Sequence, residues 1–279
     1  MELSIRLKTV AQAVTPGNRV ADVGTDHGYV PIYLMKNNLS PGGIALDVNK
    51  GPLEKAKEHI REEKLGSKIA TRLGNGLAPI EPEETDTVVI AGMGGDLICK
   101  ILKAKPEFLT SGKEFILQPQ SEWFKVRKLL REYQYDIEKE WFLKEDGKYY
   151  VIIKAQPSER LQEKSAFSHF VISQECQSAV EKTIDECEVE KIEKVEKAEM
   201  ESIYDQYGKY LIETKNPVLK EYLEKEISKK EMIAANLKQS TDSTDAETLS
   251  DKERENVMQR ENRYQQLYKE IEDMKKAIL

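Results

Sequence analysis

Val20-Ala21-Asp22-Val23-Gly24-Thr25-Asp26-His27-Gly28-Tyr29-Val30 is the stretch around which the rest of the chain is organised. A short apolar run ends in an acid, a glycine-bracketed turn follows, and an amphipathic stretch runs on from Tyr29 to Lys36. Strand, tight loop and helix in that order open a doubly wound α/β domain, whose ligand sits where the strand ends. Glycine permits the sharp turn and a close approach of ligand to backbone. The helix start offers unsatisfied N–H groups to an anion.

The glycine pattern bears on which ligand. A dinucleotide site usually carries three glycines as G-x-G-x-x-G; here only Gly24 and Gly28 remain, with Asp22 ahead of the first. That fits S-adenosylmethionine, which has no phosphate but offers an ammonium, a carboxylate, a sulfonium and a ribose diol. Asp22 suits the ammonium, and the loop N–H groups suit the carboxylate. Gly43-Ile44-Ala45-Leu46-Asp47-Val48 reads as the second strand. Its Asp47, about 20 residues beyond the first turn, can accept both ribose hydroxyls. A nicotinamide site would use such an acid too, so Asp47 speaks for the fold more than for the cofactor.

With 279 residues the chain has room for one ample α/β domain and an appendage. Cys99, Cys176 and Cys187 are odd in number and lack C-x-x-C spacing, which points to reduced thiols, a cytoplasmic location and no structural metal. His27, His59 and His169 are scattered and form no ligand cluster. The start lacks a signal-peptide core and no apolar run is long enough to span a membrane. The net charge of −7 is unevenly spread. Residues 1–160 hold 24 Lys+Arg and 23 Asp+Glu, a net +1, whereas residues 161–279 hold 19 and 27, a net −8. The acidity therefore sits in the tail, which is a poor phosphate surface, while the front half can still carry a local basic patch.

Residues 2–14 read as a leading helix, with Leu3, Leu7, Val10 and Val14 at helical spacing. After the second strand, Gly51-Pro52 opens a helix reaching Lys64. Ile69 to Leu73 is a third strand, ending at Gly74-Asn75-Gly76. Thr87 to Ala91 is the most apolar strand and runs into Gly92-Met93-Gly94-Gly95-Asp96, then a helix to about Ala104. Phe115-Ile116-Leu117 is a fifth strand, closed by Gln118-Pro119-Gln120, and Ser121 caps a helix through Tyr133. Tyr135 to Leu143 and Tyr149 to Ala155 are two further strands joined through Asp146-Gly147, a hairpin signal. Five strands alternating with helices and closed by a hairpin predict an α/β fold, a seven-stranded Rossmann-like class I methyltransferase domain over residues 1–160.

The remainder, 161–279, reads as a helical, coiled-coil-like extension ending in an antiparallel hairpin over about 216–279. Asn216-Pro217 is a cap followed by proline at the first helical position. Leu219, Tyr222, Leu223, Ile227, Ile233 and Leu237 form one apolar stripe, and Val257, Tyr264, Leu267, Tyr268, Ile271, Met274 and Ile278 another. Ser240 to Leu249 reads as the connecting loop, and Ser250 to Glu253 as a capping box. The same apolar seam could serve a homodimer.

Several stretches together resemble the bacterial tRNA (adenine-22, N1)-methyltransferase family. They are Ser4-Ile5-Arg6-Leu7, Ala21 to Tyr29, Ala91-Gly92-Met93-Gly94-Gly95, Ile116-Leu117-Gln118-Pro119-Gln120 and Glu145-Asp146-Gly147-Lys148, which lie in register across residues 4–148. The resemblance implies S-adenosyl-L-methionine as cofactor, tRNA as partner, and methylation of an adenine N1 in the D-arm region. Family members often have Gly-Asp-Gly where Asn75 stands here, and Leu-Gln-Pro-Asn where Gln120 stands. Asn75 can still accept from the cofactor's adenine amino group. The expected cofactor-binding set is Asp22, Gly24, Gly28, Asp47, Val48, Asn75, Gly76, Ala91 and Gly92.

Adenine N1 already carries a lone pair, so the enzyme needs to position it rather than deprotonate it. A paired or stacked adenine must first be flipped out, and Tyr29 and Met93 are candidates to receive it. The product is cationic, so Asp26 is expected to stabilise developing charge, with His27 orienting it or touching the base. Asp26, His27 and Met93 are thus the catalytic candidates. Arg6, Lys8, Lys125, Arg127, Lys128 and Arg131 are the RNA-binding candidates, Arg127 and Arg131 sharing a helix face. Lys225, Lys229, Lys230, Arg260 and Arg263 are those of the hairpin. A small-molecule methyltransferase and a non-catalytic RNA-binding adaptor are the alternative readings; an oxidoreductase is disfavoured by the missing third glycine.

Overall fold

The computed structural model describes residues 2–159, 161, 197–242 and 251–279. The helical reading of 162–196, most of the loop before Ser250, and Cys176, Cys187 and His169 lie outside the described residues. The chain divides into two compact units, Met1–Tyr210 and Leu211–Leu279.

The first unit is built on one seven-stranded sheet with spatial order β3-β2-β1-β4-β5-β7-β6. Its strands are β1 (Val20–Val23), β2 (Gly43–Asp47), β3 (Ile69–Leu73), β4 (Thr87–Met93), β5 (Glu114–Pro119), β6 (Tyr135–Glu145) and β7 (Lys148–Pro157). β1 to β5 run parallel, while β7 joins β5 antiparallel and pairs with β6 as a hairpin. β1 and the first four residues of β4 are buried throughout. This is why, Asp22 and Thr87 apart, they read as apolar: a parallel strand covered on both faces has no solvent side. The order reverses between β1 and β4, and that switch point opens a crevice at the carboxyl ends of the strands.

The helices between strands are α1 (Ile5–Ala13), α2 (Tyr29–Lys36), α3 (Lys50–Glu62), α4 (Gly95–Ala104), the short α5 (Glu107–Thr110) and α6 (Trp123–Glu132). α1 is capped by Ser4, whose Oγ accepts from Leu7 N at 3.2 Å. Its Val10, Ala11 and Ala13 join Val30, Leu34 and Met35 of α2 in one core cluster. Ser121 does not cap α6. The cap position is Glu122, with φ +46, while the Ser121 carbonyl accepts from Gly95 N at 2.9 Å and its hydroxyl bonds Glu122 Oε2 at 2.7 Å. Close packing against the start of α4 has taken the serine over.

At the sheet end away from the crevice, buried Glu114 accepts from Thr15 N (3.0 Å), Thr87 Oγ1 (2.7 Å) and Gln156 Nε2 (2.5 Å). A buried carboxylate is tolerable only when saturated in this way. It ties the exit of α1 to β4, β5 and β7.

In the second unit, Asn216 Oδ1 accepts from Val218 N and Leu219 N, both at 3.0 Å, capping a helix that spans Pro217–Asp242. The helix runs past Ser240, where the loop was expected to begin. A second helix covers Asp251–Ile278. Lys230 pairs with Glu270 at 2.5 Å and Lys275 with Glu231 at 2.9 Å, which fixes the antiparallel register. Leu219, Leu223, Ile227 and Ala234 are buried on one helix and Leu267, Ile271, Met274 and Ala277 on the other. Ile233 and Tyr268, expected in the seam, are instead exposed.

Candidate active site

The crevice holds a cavity of about 480 Å³. β1 and β2 deliver Asp22 and Asp47 to it, the loop after β3 delivers Asn75 and Gly76, and the end of β4 delivers Ala91, Gly92 and Met93. Gly24, Asp26, Val48 and Arg6 line it as well. Most residues singled out from the sequence therefore meet in one place, although they come from positions 6 to 93.

Asp22 is buried and its Oδ2 accepts from Thr25 Oγ1 at 2.6 Å. Burial pushes its pKa up to about 6, Asp47 adds like-charge repulsion, and the Thr25 hydroxyl pulls the other way. A carboxylate in this state gains from a cation placed beside it. Asp47 Oδ1 accepts from Asn49 N at 2.7 Å, so the loop after β2 holds the side chain at the cavity.

Gly24 has φ +75, and a Cβ added there would run into Met93 Cε. The left-handed φ favours glycine at this point, and the methyl at the end of the flexible Met93 side chain lies over its open face. The Gly24 and Thr25 amides each donate to Leu46 O at 2.8 Å. β2 thus engages these two of the loop N–H groups, which leaves the amides further along the loop for a ligand carboxylate. Gly92, with φ +79, donates its N–H to Gln118 Oε1 at 3.1 Å.

Gly28 and His27 do not line the cavity. Gly28 is the left-handed cap of α2, and its carbonyl accepts from Ile32 N at 3.1 Å. His27 has φ +63 and stacks on Tyr29, centroids 5.2 Å apart, with His59 forming the third ring of the group. His59 Nδ1 donates to His27 O at 2.9 Å. His27 Nε2 lies 3.2 Å from Asp26 Oδ1, and the Asp26 side chain is 80% exposed. Asp26 and Tyr29 face the cavity.

The basic candidates separate. Lys8 and Lys128 are exposed. Lys125 pairs with Asp96 at 3.0 Å. Arg131 pairs with Asp205 at 2.7 Å. Arg127 is a correction: only 2% exposed, it binds Glu140 at 2.7 Å through Nε and donates from Nη1 to the Asp205 and Gln206 carbonyls at 3.0 Å. It cannot meet RNA from there; it anchors the segment 197–208 against α6 and β6.

Residues without an assigned role in the sequence also enter. Leu97 and Ile101 of α4 line the cavity, and their i,i+4 spacing on an amphipathic helix was the available signal. Gln118, fully buried, and Tyr150 hold Arg6: Nη1 donates to Gln118 Oε1 at 2.7 Å and the guanidinium carbon sits 5.5 Å from the Tyr150 ring centroid. Gln118 lay in a quoted motif, but no spacing rule couples it to α1.

Among the described residues no cluster of metal ligands occurs, and no helix is long and apolar enough to cross a membrane. Residues 3–153 match a family model described as a methyltransferase domain. The chain is 39% identical over 160 residues to the tRNA (adenine(22)-N(1))-methyltransferase of Bacillus subtilis strain 168, covering 57% of this chain and 67% of the relative. Its structure is similar to that of the B. subtilis M1A22 tRNA methyltransferase TrmK, with TM-score 0.73, 29% identity, and 100% and 99% of the two chains covered. It is also similar to Streptococcus pneumoniae Sp1610 in complex with S-adenosyl-L-methionine, with TM-score 0.70, 26% identity and complete coverage of both chains. A glycine-turn cavity at the β1–β4 switch point, in a chain with these likenesses, places the protein: it belongs to the tRNA (adenine(22)-N1)-methyltransferase family.

Proposed function

We propose that this protein methylates N1 of adenine 22 in tRNA, using S-adenosyl-L-methionine. The observation that carries the reading is the pairing of buried Asp22 with Asp47 in one cavity beside a glycine-lined β4 end. The residues fit the cofactor: Asp22 for its ammonium, Asp47 for its ribose diol, and Val48, Leu97 and Ile101 as apolar walls with Asn75 and Gly76 for its adenine. When bound, the cofactor supplies an electrophilic methyl on a sulfonium.

The chain's own part is positioning. Adenine N1 attacks with its lone pair, so no base is required, and rate comes from holding N1 in line at near-attack distance. Gly92 leaves space for a base edge beside the backbone, and Met93 and Tyr29 offer it apolar surface. Asp26 faces the cavity and opposes the product's positive charge, but its exposure means that solvent screens much of the effect. His27 holds Asp26 through the 3.2 Å contact. Lys8 and Lys128 are the proposed outer phosphate contacts; Lys125 and Arg131 can reach RNA only by exchanging an ion pair. The proposed compartment is the cytoplasm, where tRNA and reduced thiols are found together.

The test is incubation of the protein with methyl-labelled cofactor and an unmodified tRNA transcript, followed by nucleoside analysis. Label in 1-methyladenosine is expected, and none when adenine 22 is replaced by guanine. Label in other nucleosides, or none with a folded, cofactor-binding protein, would refute the reading.

A further inference from the structure

Among the described residues lining the cavity, Arg6 is the one cation, against the carboxylates of Asp22, Asp26 and Asp47. A cofactor with an amino-acid end brings a carboxylate that needs donors. The backbone donors nearest the strand ends are already engaged: Gly24 N and Thr25 N with Leu46 O, and Gly92 N with Gln118 Oε1. Arg6 has donors to spare. A guanidinium carries five N–H groups in a rigid fork suited to a carboxylate, and one bond to Gln118 leaves most of them.

The fork is also aimed. Gln118 is fully buried on β5 and its Oε1 accepts both Arg6 Nη1 at 2.7 Å and Gly92 N at 3.1 Å, while its Nε2 donates to Pro119 O at 3.2 Å. The guanidinium lies on the Tyr150 ring. A Cβ added at Gly92 would sit 4.0 Å from Arg6 Nη1, which puts the guanidinium beside the β4 end of the cavity. Surface arginines that bind phosphate are long and free to move; this one is held from two sides.

We propose that Arg6 binds the α-carboxylate of the cofactor and that Gln118 is the positioning residue that aims it, so that Asp22 and Arg6 together read the zwitterion. The inference rests on the S-adenosylmethionine reading above. It moves Arg6 from the RNA surface to the cofactor site.

Binding calorimetry on the full chain tests it without any turnover. The probes are S-adenosylhomocysteine, which carries the amino-acid end, and 5′-methylthioadenosine, which lacks it. Arg6→Ala should weaken S-adenosylhomocysteine about 10- to 100-fold, the range for a charged hydrogen bond, and leave methylthioadenosine within about twofold. Gln118→Leu should shift selectivity in the same direction, and the double variant should lose no more than Arg6→Ala alone. Arg6→Lys, which keeps the charge and the fold but not the fork, should show a smaller loss of the same selectivity. Equal weakening of both probes would overturn the proposal in favour of a scaffolding role. Unchanged binding of both, with a raised tRNA KM, would overturn it in favour of RNA contact. A wild-type chain that binds neither probe would refute the cofactor reading itself, and this inference with it.

Discussion

Asp22 carries a cost that its ligand can relieve. Its pKa in the folded protein is raised to about 6 from an ordinary 3.8, chiefly by burial. The stability gained from keeping it protonated is full below the unfolded value and is lost as pH rises through about 6. Without cofactor, this group should therefore make the protein less stable at pH 7.5 than at pH 5 by about 1.4 kcal/mol, the rest of the full ~3 kcal/mol having been lost below pH 5. Asp22→Asn should raise Tm at pH 7.5 and lower cofactor affinity at the same time; a variant losing both would show a purely structural carboxylate. Affinity of the wild type should fall about tenfold per unit as pH drops below the folded pKa, and the Asn variant should lose that dependence. Asp47→Ala should cost about 1.5–3 kcal/mol of cofactor binding, one to two decades in Kd, with the fold intact. Unchanged affinity by calorimetry would remove the ribose assignment.

The elements were legible where one local rule governed them. β1 and the start of β4 are covered on both faces and, Asp22 and Thr87 apart, read as apolar; the β6–β7 hairpin announced itself through Asp146-Gly147; Asn216 capped the helix that its position foretold. The failures lie where a partner far along the chain decides. Arg127 sits in Lys125-Val126-Arg127-Lys128, which reads as a basic helix face, yet it faces Glu140 on β6 and the carbonyls of Asp205 and Gln206. Amphipathic period tells which residues share a face, not what covers that face. The cavity followed the same division: Asp22, Gly24 and Asp47 were readable from strand-end chemistry, whereas the Arg6–Gln118 contact spans 112 residues. Arg127→Ala should destabilise the protein by about 3–5 kcal/mol, because it breaks a buried ion pair on one side. Replacing both partners, as Arg127→Met with Glu140→Leu, should recover most of that in a denaturant titration. If Arg127→Ala instead lowered tRNA affinity at unchanged stability, the anchoring role would be wrong.

On the scale of the whole molecule, every residue that lines the cavity belongs to Met1–Tyr210. A chain ending at Tyr210 should therefore fold and bind cofactor with the Kd of the full protein. What the second unit adds is then a separate question. Its helices run 26 and 28 residues, about 40 Å each at 1.5 Å per residue, long enough to follow one arm of a tRNA. Four of the five basic candidates named for it are engaged within the unit: Lys225 with Glu221, Lys229 with Glu226, and Lys230 and Arg263 with Glu270. A tRNA contact made by such a surface rests on shape and on a few phosphate bonds rather than on net charge. Removing residues 211–279 should thus raise the KM for tRNA several-fold, while the slope of log affinity against log salt changes by less than about 1. A large loss of slope would mean that the paired lysines open to phosphate. Unchanged tRNA kinetics in a folded truncation would show that the helices take no part in substrate binding. A shift from dimer to monomer in light scattering would then assign the exposed Ile233 and Tyr268 to an assembly surface.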